Sequence, residues 1–188
     1  MRYSLKYLFR RSGLPDFKVR KFLLLPEGRA TNLIEIYKTI RGRSKYSDYN
    51  SVPIGKVIEL RSLPENWTLL EYIEAYRIIE EVPYKKILRK NISVIFRTCN
   101  FVLKALEYYA EKERAINRKP DAKMVRAGIE ELYKHGDLIM LHDIVEYGAA
   151  TTLAEAEKVE WGIAFAIMAT IAKQGEIRER YMKLVNEK

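Results

Sequence analysis

A mainly α-helical chain is what this sequence predicts. A bundle of five or six helices over residues 51–188 follows a basic, mostly extended N-terminal arm over residues 1–50, with room for one β-hairpin. Three observations carry this reading. Leu88, Ile92, Ile95, Cys99, Val102, Leu106 and Tyr109 recur at alternating spacings of four and three, the seam of a buried helix. Thr68 with Glu71, and Thr152 with Glu155, stand at capping-box spacing before apolar runs. The charge is lopsided: residues 1–56 hold 13 basic and 4 acidic side chains, whereas residues 57–188 hold 21 of each.

The arm has little helical periodicity and is punctuated by Gly13, Pro15, Pro26, Gly28, Gly42 and Pro53. Val19–Leu25 and Asn32–Ile40 read as short strands, the second equally as a short helix, and 41–50 as a polar loop. Aromatic residues Tyr3, Tyr7, Phe9, Phe17 and Phe22 alternate with cations. The arm is expected to dock on its own bundle or on a neighbour, and the bundle to fold without it.

From Ser51 the chain turns helical. Ser51 is placed to cap a helix with Pro53 in its first turn, where a missing N–H costs nothing. Pro64 ends that helix. Thr68 opens the next, with Trp67 before the cap as a hydrophobic staple, and Pro83 closes it. The central helix is expected from about Tyr84 to about Ala115, with Phe96, Leu103 and Ala110 widening its apolar stripe. Asp121 and Asp137 are candidate caps for two further helices, and Gly136 lies between them. Thr152 is placed to start a last helix reaching about Val185, rich in small residues from Gly162 to Gly175.

Composition excludes several classes. Apolar residues at 48% and charged residues at 31% describe a globular chain, not a disordered one. Cys99, the single cysteine, allows neither an intrachain disulfide nor a cysteine zinc cluster, and fits a reducing compartment. No apolar run is long enough to span a bilayer, and Arg10 and Arg11 interrupt the one stretch that resembles a signal peptide. No membrane partner is expected.

Catalytic chemistry is not legible. His142 and Glu146 share a helix face at i, i+4, but a metal site needs three or four ligands, and Asp143 is expected to point elsewhere. Cys99 falls on the core seam. The nine glycines are scattered singly, so no phosphate-cradling loop exists. The chain is therefore expected to be no enzyme, with no catalytic residue, no metal and no cofactor.

What remains is charge. Arg2, Lys6, Arg10, Arg11, Lys18, Arg20 and Lys21 in the arm are the candidate partner-binding residues. They are joined by Lys85, Lys86, Arg89 and Lys90 at the start of the central helix. Cations at a helix N-terminus oppose the macrodipole, and their retention there points to an acidic partner. That partner is an acidic protein face or a nucleic acid.

Two stretches also carry a resemblance. Residues 51–88, SVPIGKVIELRSLPENWTLLEYIEAYRIIEEVPYKKIL, resemble the opening of small helical assembly proteins of tailed phages. Residues 135–184, HGDLIMLHDIVEYGAATTLAEAEKVEWGIAFAIMATIAKQGEIRERYMKL, resemble the closing helices of phage tail assembly chaperones. The resemblance implies a non-enzymatic structural or assembly protein of the phage tail or head–tail connector, in the virion or the host cytoplasm. The basic arm departs from the neutral or acidic chaperones and implies a component that stays in the particle. Its partners would be protein subunits, as a homo-oligomer or a larger particle, with nucleic acid the alternative.

Overall fold

The computed structural model describes residues 18–25, 27–116, 126, 131 and 135–186. Among them are nine helices and no strand. These are α1 (Val19–Phe22), α2 (Glu27–Tyr37), α3 (Ile54–Arg61), α4 (Leu69–Glu80), α5 (Tyr84–Ile87), α6 (Ile92–Ile116), α7 (Gly136–Glu146), α8 (Leu153–Ala156) and α9 (Trp161–Asn186). They fall into two compact units. The first takes the described residues up to Lys45 together with Leu60–Ala105; the second takes Tyr46–Glu59 and the described residues from Leu106 onward. α6 contributes to both.

In the first unit, α4 starts as its sequence dictates. Thr68 and Glu71 complete the capping box, with the Glu71 carboxylate accepting from the Thr68 amide at 2.7 Å. The staple forms too: the rings of Trp67 and Tyr72 meet edge to face at 5.5 Å. Tyr72 in turn packs on Phe96, Phe96 stacks on Tyr37 at 5.2 Å, and Phe22 meets Tyr37 edge-on. Val19, Phe22, Leu33 and Tyr37 are buried. The stretch 18–40 reads in sequence as a strand at Val19–Leu25 and as a strand or, equally, a short helix at Asn32–Ile40, within an arm that the bundle folds without. Its described part is helical and fills the core of the first unit, because four large apolar side chains repay the ordering of two short helices.

Asn100 secures that arrangement. Its buried Nδ2 donates to the carbonyls of Ile40 (2.7 Å), Tyr37 (3.1 Å) and Lys38 (3.3 Å) at the end of α2, where the Tyr37 carbonyl also accepts from the Ile40 amide at 3.0 Å. Beyond it the chain runs so close to α6 that a Cβ on Gly42 would lie 2.5 Å from the Phe101 amide nitrogen. Only glycine fits there.

The expected central helix is two helices. α5 ends at Ile87, and α6 begins at Ile92. The carbonyls of Leu88 and Lys90 accept from the amides of Arg20 (3.4 Å) and Val19 (2.9 Å), so they are withdrawn from a continuous helical ladder. Leu88 leaves the seam and is exposed, whereas Ile92, Ile95, Cys99, Val102 and Tyr109 are buried as their spacing requires. Burial pushes the Cys99 thiol well above its usual range, in keeping with a core position.

The second unit is held by two segments lying side by side. Ile54 and Gly55 donate to the carbonyls of Val159 and Glu157, both at 2.8 Å, and Trp161 and Gly162 donate back to Val52 (2.8 Å) and Asn50 (3.0 Å). This pairing also explains a second break. Thr152 caps only the short α8, and the chain opens at 157–160 before α9 starts at Trp161. The expected single last helix is divided because those carbonyls serve the other segment. Ser51 does not cap α3; its hydroxyl donates to the Asp48 carbonyl, and α3 starts at Ile54. Trp161 is fully buried, tilted on Tyr109 at 4.3 Å and stacked on Phe165 at 5.0 Å, and its Nε1 donates to Glu113. The expected helix from Asp121 to Lys134 lies outside the described residues, apart from Arg126 and Glu131, both in helical conformation.

Candidate functional site: a basic face of the first unit

Seven of the candidate cations are described, and the main chain brings their two groups together. Lys18 forms an antiparallel bridge with Asn91. Val19 donates to Lys90 and Arg20 to Leu88, so the turn carrying Lys18, Arg20 and Lys21 lies directly on the turn carrying Arg89 and Lys90. That second turn is closed by Lys90 donating to Ile87 (2.8 Å) and Arg89 to Lys86 (3.2 Å), which ties it to the lysines of α5. Residues 18–21 and 84–90 are thereby one hydrogen-bonded patch, although more than sixty positions separate them in the chain. The side chains of Lys18, Arg20, Lys21, Lys85, Lys86, Arg89 and Lys90 are all exposed. Arg2, Lys6, Arg10 and Arg11 lie outside the described residues.

The two segments that build the patch are one-sided in charge. Neither 17–25 nor 82–92 contains an acidic residue. α6 starts at Ile92, separated from Lys90 by Asn91 alone, and has no acid in its first turn, so the partial positive charge of its N-terminus adds to the cations. Among the described residues none of the seven forms an ion pair, whereas other cations of this unit do, as in Lys38–Glu35, Lys45–Glu81 and Arg77–Glu74. Lysines and arginines that stay exposed and unpaired on adjoining turns repel one another, and an anionic partner relieves that repulsion. Two of the seven are arginines, whose planar fork grips phosphate or carboxylate oxygens in pairs.

Other places were candidates on chemical grounds. An open cleft of about 490 Å³ in the first unit is lined by Lys38, Trp67, Thr68, Tyr72 and Asn100, among others. Its one cation, Lys38, is held by Glu35 at 2.7 Å, which raises its pKa. In the second unit His142 Nδ1 lies 3.9 Å from Glu146. Contrary to the sequence expectation, Asp143 does not point away: one ligand atom from each of the three lies within 4.8 Å of the others. Burial, then the neighbouring Glu146, raises the Asp143 carboxyl above its usual range. Three protein ligands with two of them exposed make an open, solvated cluster, unlike the closed four-ligand sites of structural zinc.

Sequence reasoning named the charged residues of the patch but not what joins them. The missing elements are main-chain atoms: the Val19 and Arg20 amides and the Leu88 and Lys90 carbonyls. No family model, curated protein or solved structure matches the chain. Among the described residues no helix is long and apolar enough to cross a membrane.

Proposed function

We propose that this chain is a non-enzymatic binding protein whose basic face holds nucleic acid. The observation that carries the reading is the pairing of Val19 with Lys90, which joins two cationic segments into one. A partner with closely repeated negative charge suits seven exposed cations on adjoining turns better than an isolated acidic side chain does. Contacts of this kind grip the phosphate backbone and carry little sequence information, so the binding is expected to be general rather than sequence-specific.

Placement in a phage particle, as a tail-assembly or head–tail connector component in the virion or the host cytoplasm, is a second proposal. It rests on the resemblance of residues 51–88 and 135–184. The exposed apolar side chains late in α9 favour such a protein-bound setting. In that setting the same basic face would meet packaged DNA or the acidic surface of a neighbouring subunit.

The two readings separate on the choice of polyanion. Fluorescence anisotropy would follow labelled random-sequence duplex DNA and labelled poly-glutamate against the full chain. The nucleic-acid reading expects DNA to bind more tightly than poly-glutamate. It also expects Arg20→Glu, Lys21→Glu, Lys85→Glu and Lys86→Glu together to remove DNA binding while helicity is kept. Tighter binding of poly-glutamate would favour an acidic protein partner, and DNA binding untouched by the four substitutions would overturn the role of this face.

A further inference from the structure

We propose that the C-terminal half of α9 docks a partner helix whose apolar seam is flanked by acidic side chains. α9 has two characters. Its first turns pack inside the second unit, with Trp161 and Ala164 buried. The Tyr147 hydroxyl reaches across from the end of α7 to Gln174 at 2.9 Å. From Gly175 to Asn186 every residue is exposed except Glu176, which is half-buried.

Exposure is not matched by polarity. Ile177, Tyr181, Leu184 and Val185 are 58, 63, 66 and 48 % exposed. Their spacing of four, three and one puts them on a single stripe about 100° wide at the helical period. Apolar side chains aligned at i, i+4, i+7 and i+8 are the anchors by which an amphipathic helix binds a complementary apolar surface. Isolated exposed apolar residues need no explanation, but an aligned set does.

The borders of the stripe choose the occupant. Arg178 adjoins it on one side, and Lys173 and Arg180 adjoin it on the other. Glu176 and Glu179 lie farther round the helix. Glu176 pairs with Lys173 at 3.1 Å and with Arg180 at 3.7 Å, and Glu179 pairs with Lys183. One glutamate shared by two cations leaves that border net positive, and Arg178 makes the other border positive too. A second copy of α9 docked on this stripe would set cation against cation at the flanking positions, the pattern that forbids pairing in coiled coils. A partner with glutamates or aspartates at those positions meets no such penalty. A membrane surface suits the stripe less well, because helices lying on anionic bilayers carry a strongly basic polar face, and this one bears Glu176 and Glu179.

The test uses the full chain and a synthetic heptad peptide with leucine at its a and d positions and glutamate at e and g. A second peptide carries lysine at e and g. Fluorescence anisotropy is expected to show saturable binding of the glutamate peptide and none of the lysine peptide. Ile177→Ser with Leu184→Ser is expected to weaken that binding at least tenfold. The same pair should leave DNA affinity unchanged, which separates this surface from the basic face of the first unit. Circular dichroism would establish that the doubly substituted chain keeps its helicity. Arg178→Glu with Arg180→Glu should reverse the preference between the peptides. Three results would overturn the proposal: no binding of the glutamate peptide, binding indifferent to the Ile177 and Leu184 substitutions, or equal binding of both peptides. Tighter binding to vesicles of mixed phosphatidylserine and phosphatidylcholine than to the peptide would also overturn it, in favour of a membrane surface. So would a dimer in sedimentation that Ile177→Ser and Leu184→Ser dissolve.

Discussion

The main-chain amide of Val19 donates to the carbonyl of Lys90 at 2.9 Å. Lys18, just before it, is extended (φ −66°, ψ 141°), and Val19 is the first residue of α1. Proline is tolerated at the first position of a helix and after an extended residue, so Val19→Pro removes this donor with little backbone conflict. It leaves the Lys90 carbonyl without that partner and trims a buried side chain. A loss of about 1–3 kcal/mol is expected in urea unfolding. An unchanged midpoint would mean that the pairing contributes nothing to the fold.

Ile95 and Phe22 test the core from two sides of the same unit. Both are fully buried, one on the α6 seam and one in the segment that the sequence reads as a docked arm the bundle folds without. Ile95→Ala is expected to cost about 2–5 kcal/mol, and Phe22→Ala about 3–5 kcal/mol. Chemical denaturation of the two variants decides between integral and dispensable. A loss below about 0.5 kcal/mol for Phe22→Ala would restore the arm as an appendage.

Asn100 lies among apolar neighbours on α6, and its amide serves three carbonyls at the end of α2. Leucine has nearly the same volume but no donor. Asn100→Leu is therefore expected to cost about 1–3 kcal/mol, because the Lys38 and Ile40 carbonyls each lose a part-buried hydrogen bond and the Tyr37 carbonyl keeps the Ile40 amide. Hydrogen exchange should show the loss first at the end of α2. A neutral or stabilising substitution would mean that water reaches those carbonyls.

Glu74 gives a pH signature. Its carboxylate accepts from Arg77 at 2.7 and 2.9 Å and from the Tyr84 hydroxyl, and these bonds, Arg77 first, hold its pKa below the ordinary carboxylate range. A carboxylate whose pKa is depressed by folding adds stability above its unfolded pKa and loses it as pH falls through the folded one. Arg77→Ala should therefore lower stability at neutral pH by about 0.5–1 kcal/mol, a modest amount because the pair is partly solvated. Below the carboxylate range the variant and the parent should converge. A gap that stays constant down to acid pH would mean that Arg77 acts through packing alone.

Local signals were the ones that sequence could display. The Thr68–Glu71 box, the Trp67–Tyr72 staple and the buried positions of α6 each depend on residues within a few turns of one another. Where sequence misled, a distant segment intervened. Leu88 continues the heptad in spacing, yet Arg20 takes its carbonyl and the helix breaks there. Thr152 has the right partner for a long helix, but the Glu157 and Val159 carbonyls are taken by Gly55 and Ile54. Val19–Phe22 is too short to show a helical period, Asn32–Ile40 reads as strand or helix alike, and the burial of both comes from Phe96 and its neighbours. The basic residues were legible as types; their convergence is a tertiary fact.

The most direct test of the central claim is the salt dependence of DNA affinity. Log affinity against log salt would be measured between roughly 50 and 200 mM for the parent chain and two charge-neutralised variants. One variant carries Arg20→Gln and Lys21→Gln, the other Lys85→Gln and Lys86→Gln. If the two segments form one face on one phosphate backbone, each variant should flatten the slope by up to about 0.9 for every cation removed. The combined variant should flatten it further still. A slope that responds to one pair and ignores the other, or to neither, would contradict the account.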